Sequence, residues 1–293
     1  MALGKANAVA HGAATIVNAI ATGRGAAFGV DLWTKAEVEL TNDAGVIQAE
    51  IVSDPTENTL LIERVATRVL EHFKEERHFG AKVKTNSNIP VARGLKSSSA
   101  AANAVALATV AALDRSLDDL GVVNLGVDAA FDAKVTVTGA FDDACASFFG
   151  GVAVTDNLNR KLVQRSVLPE DFVVLFHVPS KKAYTANADV AKLQPIKSLV
   201  EVAYKEVFQG NFWTALSLNG LVYSSALGFD VSVELDALNA GAVAAGLCGK
   251  GPTVTAVVSE KKIDQVKIAL QQHEGKIIQT ELNHQKAKVV TPP

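Results

Sequence analysis

The sequence predicts an α+β protein of two domains, residues 1–160 and 161–293. Three observations carry that expectation. Segments such as VDLWTKAEVEL (30–40) and AKVKTN (81–86) have the alternation of strands, whereas 58–78 and the alanine-rich run after Ser99 read as helices. The stretch DNLNRKLVQRS (156–166) is charged and rich in turn residues, as a domain junction should be. Beyond it, a strongly apolar strand at 172–178 opens a second unit, in a chain of 293 residues that can fill two cores.

The elements follow in order. The start, GKANAVAHGAATIVNAIATGRGAAFGVDL, is rich in Gly, Ala and small polar residues and suits a loop-rich pocket wall. Lys5, Asn18, Thr22 and Arg24 are available there for polar contacts, while His11 and Trp33 are assigned structural roles. Strands at 30–40 and 45–52 should form an antiparallel hairpin across Asn42-Asp43-Ala44-Gly45. An amphipathic helix over 58–78 precedes a strand at 81–86 that exposes Lys82 and Lys84. After the Ser/Ala helix, a helix around 128–134 leads into a strand VTVTG (135–139), and GVAVTD (151–156) is a further strand. The second unit reads as a strand at 172–178 and helices at 187–208, 211–227 and 231–245. A glycine-rich turn, a strand at 253–259, a helix at 262–273 and a strand at 276–282 complete it.

Composition excludes several classes. A net charge of -3 gives no electrostatic footprint for nucleic acid, and the pairs Lys181-Lys182 and Lys261-Lys262 read as solvated surface. Two cysteines, Cys145 and Cys248, neither staple a fold of this size nor make a zinc site, and six histidines lack ligand spacing. Lys5, His11 and Asn18 interrupt the amino-terminal apolar run, so no signal peptide is expected there. The apolar run from Ala100 to Leu113 is shorter than the ~20 residues of a membrane span. A cytoplasmic setting is expected.

Three stretches carry chemistry. In PVARGLKSSSAAANA, Pro90 and Gly94 shape a loop, and Ser97, Ser98 and Ser99 fall where a helix should begin. The first N–H groups of a helix lack partners and its dipole is positive there, so an anion can be held by N–H groups and hydroxyls together. Lys96 adds a mobile charge suited to phosphate. The alternative is a serine capping a packed helix. The segment is not a Walker A loop, because Leu95 stands where the second glycine belongs. GKG at 249–251 fails the same motif at Gly251, and GRGAAFG fails the dinucleotide fingerprint at Phe28.

The second stretch is the cluster Gly246, Gly249 and Gly251, read as helix, loop and strand, where backbone approaches either a ligand or another segment. The third is TGAFDDACASFFGG, in which Asp142 and Asp143 are adjacent carboxylates. They could take a hydroxyl proton or bind magnesium, or one could cap a helix beside a solvated neighbour.

Together the motifs are more specific. PVARGLKSSSAAANA resembles the Pro-x-x-x-Gly-Leu-Gly-Ser-Ser-Ala motif of the GHMP kinases (galacto-, homoserine, mevalonate and phosphomevalonate kinases), and AGLCGKGPTVTAVV resembles their late glycine motif. Order and distance agree over essentially the whole chain. Lys96 in place of the motif's second glycine and a third serine depart from the general pattern. With VTVTGAFDDACAS and GAATIVNAIATGRGAAFGVDL, these departures resemble the archaeal type of shikimate kinase, unrelated in fold to the bacterial P-loop enzyme.

That resemblance implies transfer of the γ-phosphoryl group of ATP to the 3-hydroxyl of shikimate, with ATP and Mg2+. It implies the GHMP kinase fold: a ribosomal protein S5 domain 2-like amino-terminal domain with a left-handed β-α-β crossover, and a ferredoxin-like carboxyl-terminal domain. ATP would lie along Pro90, Val91, Ala92, Arg93, Gly94, Leu95, Lys96, Ser97, Ser98, Ser99 and Ala100. By match to the motif, Ser98 would bind magnesium, with Asp132 as the upstream acid. Lys96, Asp142 and Asp143 would be catalytic, with the choice of base between the two aspartates open. Lys5, Asn18, Thr22, Arg24, Thr138, Gly249 and Gly251 would meet shikimate, Arg24 at its carboxylate. Competing expectations are a kinase for another small alcohol such as homoserine, and a non-catalytic ATP-binding sensor. An NAD-dependent oxidoreductase is opposed by Phe28. The oligomeric state stays open.

Overall fold

The computed structural model describes residues 3–91, 94–169, 171–180 and 190–290. Ala92 and Arg93 of the expected nucleotide loop, the Lys181-Lys182 pair and residues 187–189 of the expected 187–208 helix lie outside the described residues.

The first sheet is built from β1 (Lys5–Val17), β2 (Arg24–Thr41), β3 (Ile47–Ile51), β4 (Gly80–Ser87), β5 (Val152–Asp156), β6 (Lys161–Ser166) and β11 (Lys288–Val290). Its order is β11-β1-β2-β4-β3, with the β5–β6 hairpin joined to the other half of β2. Helix α1 (Leu60–Phe73) links β3 to β4, which run parallel. The expected hairpin of 30–40 with 45–52 therefore does not form. An amphipathic helix between two strands makes a parallel crossover, and β4 takes the place beside β2. As expected, β4 exposes Lys82 and Lys84.

The amino-terminal stretch is strand rather than loop. β1 is buried along nearly its whole length by α2 (Ser97–Ala112), α4 (Phe141–Phe149) and α6 (Phe212–Leu227), so it lacks the hydrophobic alternation of a half-exposed strand. Helix α3 (Asp119–Asp132) completes this layer. The alanines of α2 let its neighbours approach: a Cβ added to Gly126 of α3 would lie 3.2 Å from the Cβ of Ala102. Residues 135–139 form no strand. Val135 and Val137 are 37% and 44% exposed, and the segment is a loop between α3 and α4. The charged stretch 156–166 is the β5–β6 hairpin of the first sheet.

The second sheet has the order β10-β7-β9-β8, from β7 (Phe172–Val178), β8 (Ala244–Leu247), β9 (Val254–Ser259) and β10 (Lys276–Glu281). Helices α5 (Lys197–Phe208), α6 and α7 (Ser232–Asn239) separate β7 from β8, and α8 (Ile263–Leu270) separates β9 from β10. This is the ferredoxin-like β-α-β-β-α-β order, with an enlarged first crossover. The expected helix 231–245 ends at Asn239, and 244–247 is β8. The glycine cluster consequently joins two strands, not a helix and a strand. Among the described residues, no helix is long and apolar enough to cross a membrane.

Candidate active site

Two helices begin at one cleft. Helix α2 starts after Lys96, whose backbone is left-handed (φ 61°, ψ 30°), and α4 starts after Ala140 in the same region (φ 49°, ψ 41°). Neither first turn has a side-chain cap. Ser97, Ser98 and Ser99 therefore occupy the first helical positions instead of capping, and so do Asp142 and Asp143 one residue further in. The capping alternatives for both motifs are removed. What remains at each end is a set of backbone N–H groups and the positive end of the dipole.

The Lys96 ammonium reaches from one helix start to the other, 2.8 Å from Asp143 Oδ2, with both side chains almost fully buried. Asp143 Oδ1 is buried without a partner among the described residues. Asp142 Oδ1 accepts from Asn157 Nδ2 at 2.8 Å, and Thr155 Oγ1 donates to Asn157 Oδ1 at 2.6 Å. Gly25 of β2 makes room for the other Asp142 oxygen, which a Cβ there would strike. Deeper, Asn103 of α2 donates to Ala144 O at 2.9 Å and Ser147 Oγ at 3.1 Å, tying the two helices behind their first turns.

The floor is the 249–251 loop, clamped to β1. Gly249 N–H donates to Thr15 Oγ1 at 3.0 Å, and Asn18 Nδ2 donates to Gly249 O at 2.8 Å. A register shift between Thr15 and Val17 re-aims β1 at this point. Asn219 and Tyr223 of α6 hold residues 18–21 from behind. Glycine is favoured at 249: its φ is 62°, and a Cβ would lie 2.7 Å from Lys96 Nζ and displace that ammonium. Gly94 (φ 84°) packs against Cys248 O on the same loop.

The cleft thus gathers Gly94, Lys96, Ser97, Ser98 and Ser99 with Thr138, Asp142, Asp143, Asn18, Gly249 and Gly251, from all three sequence motifs. A larger, mainly apolar cavity of about 410 Å³ adjoins it and shares Ser97, Ser98 and Val135. Val91 lines its wall with Leu61 and Ala101. Other expected residues lie elsewhere. Leu95 and Ala100 are buried in the hydrophobic core, and Pro90 lines neither cavity. Lys5 is paired with Glu37 at 2.9 Å, and its neighbour Gly4 abuts Ala112 at the far end of α2, about 20 Å from the serines by helix rise. Thr22 closes its own turn with Arg24, whose guanidinium is held by Glu201 and lies over Tyr204. Asp132 is gripped by Arg68 through two hydrogen bonds of 2.6 and 2.8 Å at the outer end of α3 and does not line the cleft.

Thr15, Gly25, Asn103, Asn157 and Lys250 were not anticipated. Asn157 sits in a stretch that composition marks as linker, and Asn103 in a helix that reads as bland. Lys250 stood within the glycine motif without a role, yet it lines the cleft.

Burial and then the charge of Asp143 push the Asp142 carboxyl up to about 7, although Lys96 and the Asn157 bond oppose the rise. Burial pulls the Lys96 ammonium down, but Asp143 and the other nearby anionic groups outweigh it, and the net shift is upward. Burial and the Lys96 charge pull Lys250 down to about 8.

Known proteins resemble this chain along nearly its whole length. The family model described as "GHMP kinases N terminal domain" matches residues 61–151. A shikimate kinase of Methanosarcina mazei is 46% identical over 280 residues, covering 95% of this chain and 94% of that one. The shikimate kinase of Methanosarcina acetivorans is 47% identical, covering 96% and 95%. Among solved structures, homoserine kinase from Cytophaga hutchinsonii superposes with a TM-score of 0.76 over 98% of this chain and 97% of its own, at 17% identity. The last likeness speaks for the fold alone.

Proposed function

The chain belongs to the GHMP kinases, in their archaeal-type shikimate kinase branch, and from that premise we propose how its cleft transfers the γ-phosphoryl group of ATP to the 3-hydroxyl of shikimate. One observation carries the assignment of roles: two uncapped helix starts meet, one lined by hydroxyls and the other by buried carboxylates, with Lys96 between them.

The ATP phosphates lie against Ser97, Ser98 and Ser99, whose N–H groups and hydroxyls receive anionic oxygens. The adjoining apolar cavity takes the nucleoside. Lys96, fixed by Asp143, faces the charge that develops on the transferring group and is already oriented for it. Asp142 accepts the proton of the acceptor hydroxyl late in the reaction. With its carboxyl raised to about 7 it ionises as pH rises through neutrality and is basic enough for the task. Asn157 holds Asp142 in place, and the clamped 249–251 loop closes the floor against water.

Magnesium fits this set. Asp143 Oδ1 is an unpartnered buried acceptor, and Ser98 lies on the same cleft wall. Among the described residues there is no cluster of three or more acidic, His or Cys side chains. That suits an ion held by one or two protein oxygens together with substrate phosphates. When bound, it would supply neutralisation of phosphate charge.

The test is ADP release with shikimate and with homoserine as acceptors. Turnover is expected with shikimate and not with homoserine; no ADP formation with shikimate would overturn the assignment. Within it, Asp142→Asn should lower kcat by roughly 10²–10⁴ at any magnesium concentration, whereas Asp143→Asn should also raise the magnesium requirement.

A further inference from the structure

We infer that Thr155 is a positioning residue for phosphoryl transfer: its hydroxyl fixes which end of the Asn157 amide meets Asp142, and so holds the proton acceptor in place. The inference rests on the reading of Asp142 as that acceptor, and adds the group that acts on it through Asn157.

Thr155 and Asn157 stand two apart at the end of β5, so both side chains turn inward, with 0% and 4% exposure, while Asp156 between them faces the other way and is partly exposed. Their backbone is held on both sides. Thr155 is in register with Gly25 of β2, and Asn157 N–H donates to Gly23 O at 2.8 Å. From α5, the Tyr204 hydroxyl donates to Thr155 O at 3.2 Å. Thr155 is also β-branched, so its hydroxyl has few directions to choose from.

The two ends of an asparagine amide have nearly the same shape and opposite polarity. Turned the wrong way, the amide oxygen would face Asp142 Oδ1 across the same 2.8 Å, acceptor against acceptor, and push the carboxylate aside. The distances decide the direction of the chain. At 2.6 Å, the contact of Thr155 Oγ1 with Asn157 Oδ1 suits a hydroxyl donor and is shorter than amide N–H groups make. The alternative acceptor, Gly25 O, is 3.3 Å away, which is long for a hydroxyl bond. The single hydroxyl proton therefore goes to Asn157, and the amide nitrogen is turned to Asp142. With Oδ1 so engaged, Oδ2 is left for the acceptor hydroxyl, over Gly25 and beside Ala19, which lines the cleft.

Kinetics of Thr155 variants, with ATP and shikimate varied separately, test this. Thr155→Val keeps the shape and removes the donor. Its kcat and single-turnover rate should fall ten- to a hundredfold, while the KM values for ATP and shikimate stay within about twofold. Thr155→Ala, without the added methyl, should show the same split. Thr155→Ser keeps the hydroxyl and should bring kcat back to within about threefold of wild type. Because Thr155 acts through Asn157, the double variant Thr155→Val/Asn157→Ala should turn over no more slowly than Asn157→Ala alone. Wild-type kcat in both Thr155→Val and Thr155→Ala, no rescue by serine, or losses that multiply in the double variant overturns the inference. Failure of the underlying reading looks different, because Asp142→Asn would then itself keep full activity.

Discussion

Helices α2 and α4 enter the cleft in the same way. Each follows a non-glycine residue in the left-handed region, Lys96 or Ala140, and neither has a side chain closing its first turn. Such a backbone costs about 1–2 kcal/mol per residue and persists where the surroundings demand it. From that common device the two ends diverge. The first turn of α2 carries three hydroxyls, whereas that of α4 carries two carboxylates buried to 4% and 6% exposure. The dipole favours an anion at both ends, but only α4 already holds one. Binding phosphate and handling a proton are thus separated by which helix start supplies its own negative charge, and Lys96 couples them.

The sharpest way to break this contrast is to neutralise the α4 end. Asp142→Asn should lower kcat by roughly 10²–10⁴ while nucleotide binding persists within a few-fold. If Asp142→Asn and Asp143→Asn both retain full activity, the carboxylate end has been misread. Removing the coupling comes next. Lys96→Met leaves Asp143 buried and unpaired, and should cost about 3–5 kcal/mol of stability as well as turnover, measured by denaturant unfolding. Asn103→Ala cuts the tie between the helices and should cost about 1–3 kcal/mol, with kcat falling more than the KM for ATP.

The pH dependence sharpens the same comparison because activity and stability move oppositely. The Asp142 carboxyl lies above its unfolded value of 3.8, at about 7, so the folded protein binds this proton more readily than the unfolded chain. Its stabilising contribution is complete below the unfolded value and is lost as pH rises through about 7. The activity of the ionised base appears over that same rise. Asp142→Asn should therefore melt above wild type at pH 8, by about 2–4 °C for each kcal/mol relieved, and the gap should shrink at pH 5. The smallest effect is expected at α2. Ser98→Ala should reduce kcat/KM about tenfold yet leave stability within ~0.5 kcal/mol, because these serines cap nothing. A loss of ~1 kcal/mol or more would return them to a capping role.

Much of the site was legible because its motifs are local. Gly94, Lys96, Ser97, Ser98 and Ser99 are contiguous, and a helix start announces its chemistry through a loop followed by small residues. The pair Asp142-Asp143 was visible for the same reason. The strand β1 was not, because burial by α2, α4 and α6 erases the alternation by which a strand is recognised. The surroundings of Asp132 and Arg24 were illegible for a related reason: their residue types suit a ligand, but their partners in the fold, Arg68 and Glu201, are 64 and 177 residues away.

By itself, then, the sequence determined the fold class, the family and the identity of the phosphate and carboxylate loops, all of which rest on short-range spacing and residue type. Only the tertiary structure decided that the two helix starts face one another across Lys96, that Asn157 and Gly25 shape the pocket of Asp142, and that Lys250 lines the cleft. Those facts depend on contacts between segments far apart in the chain, such as Asn18 with Gly249 across 231 positions, and no local pattern encodes such a distance.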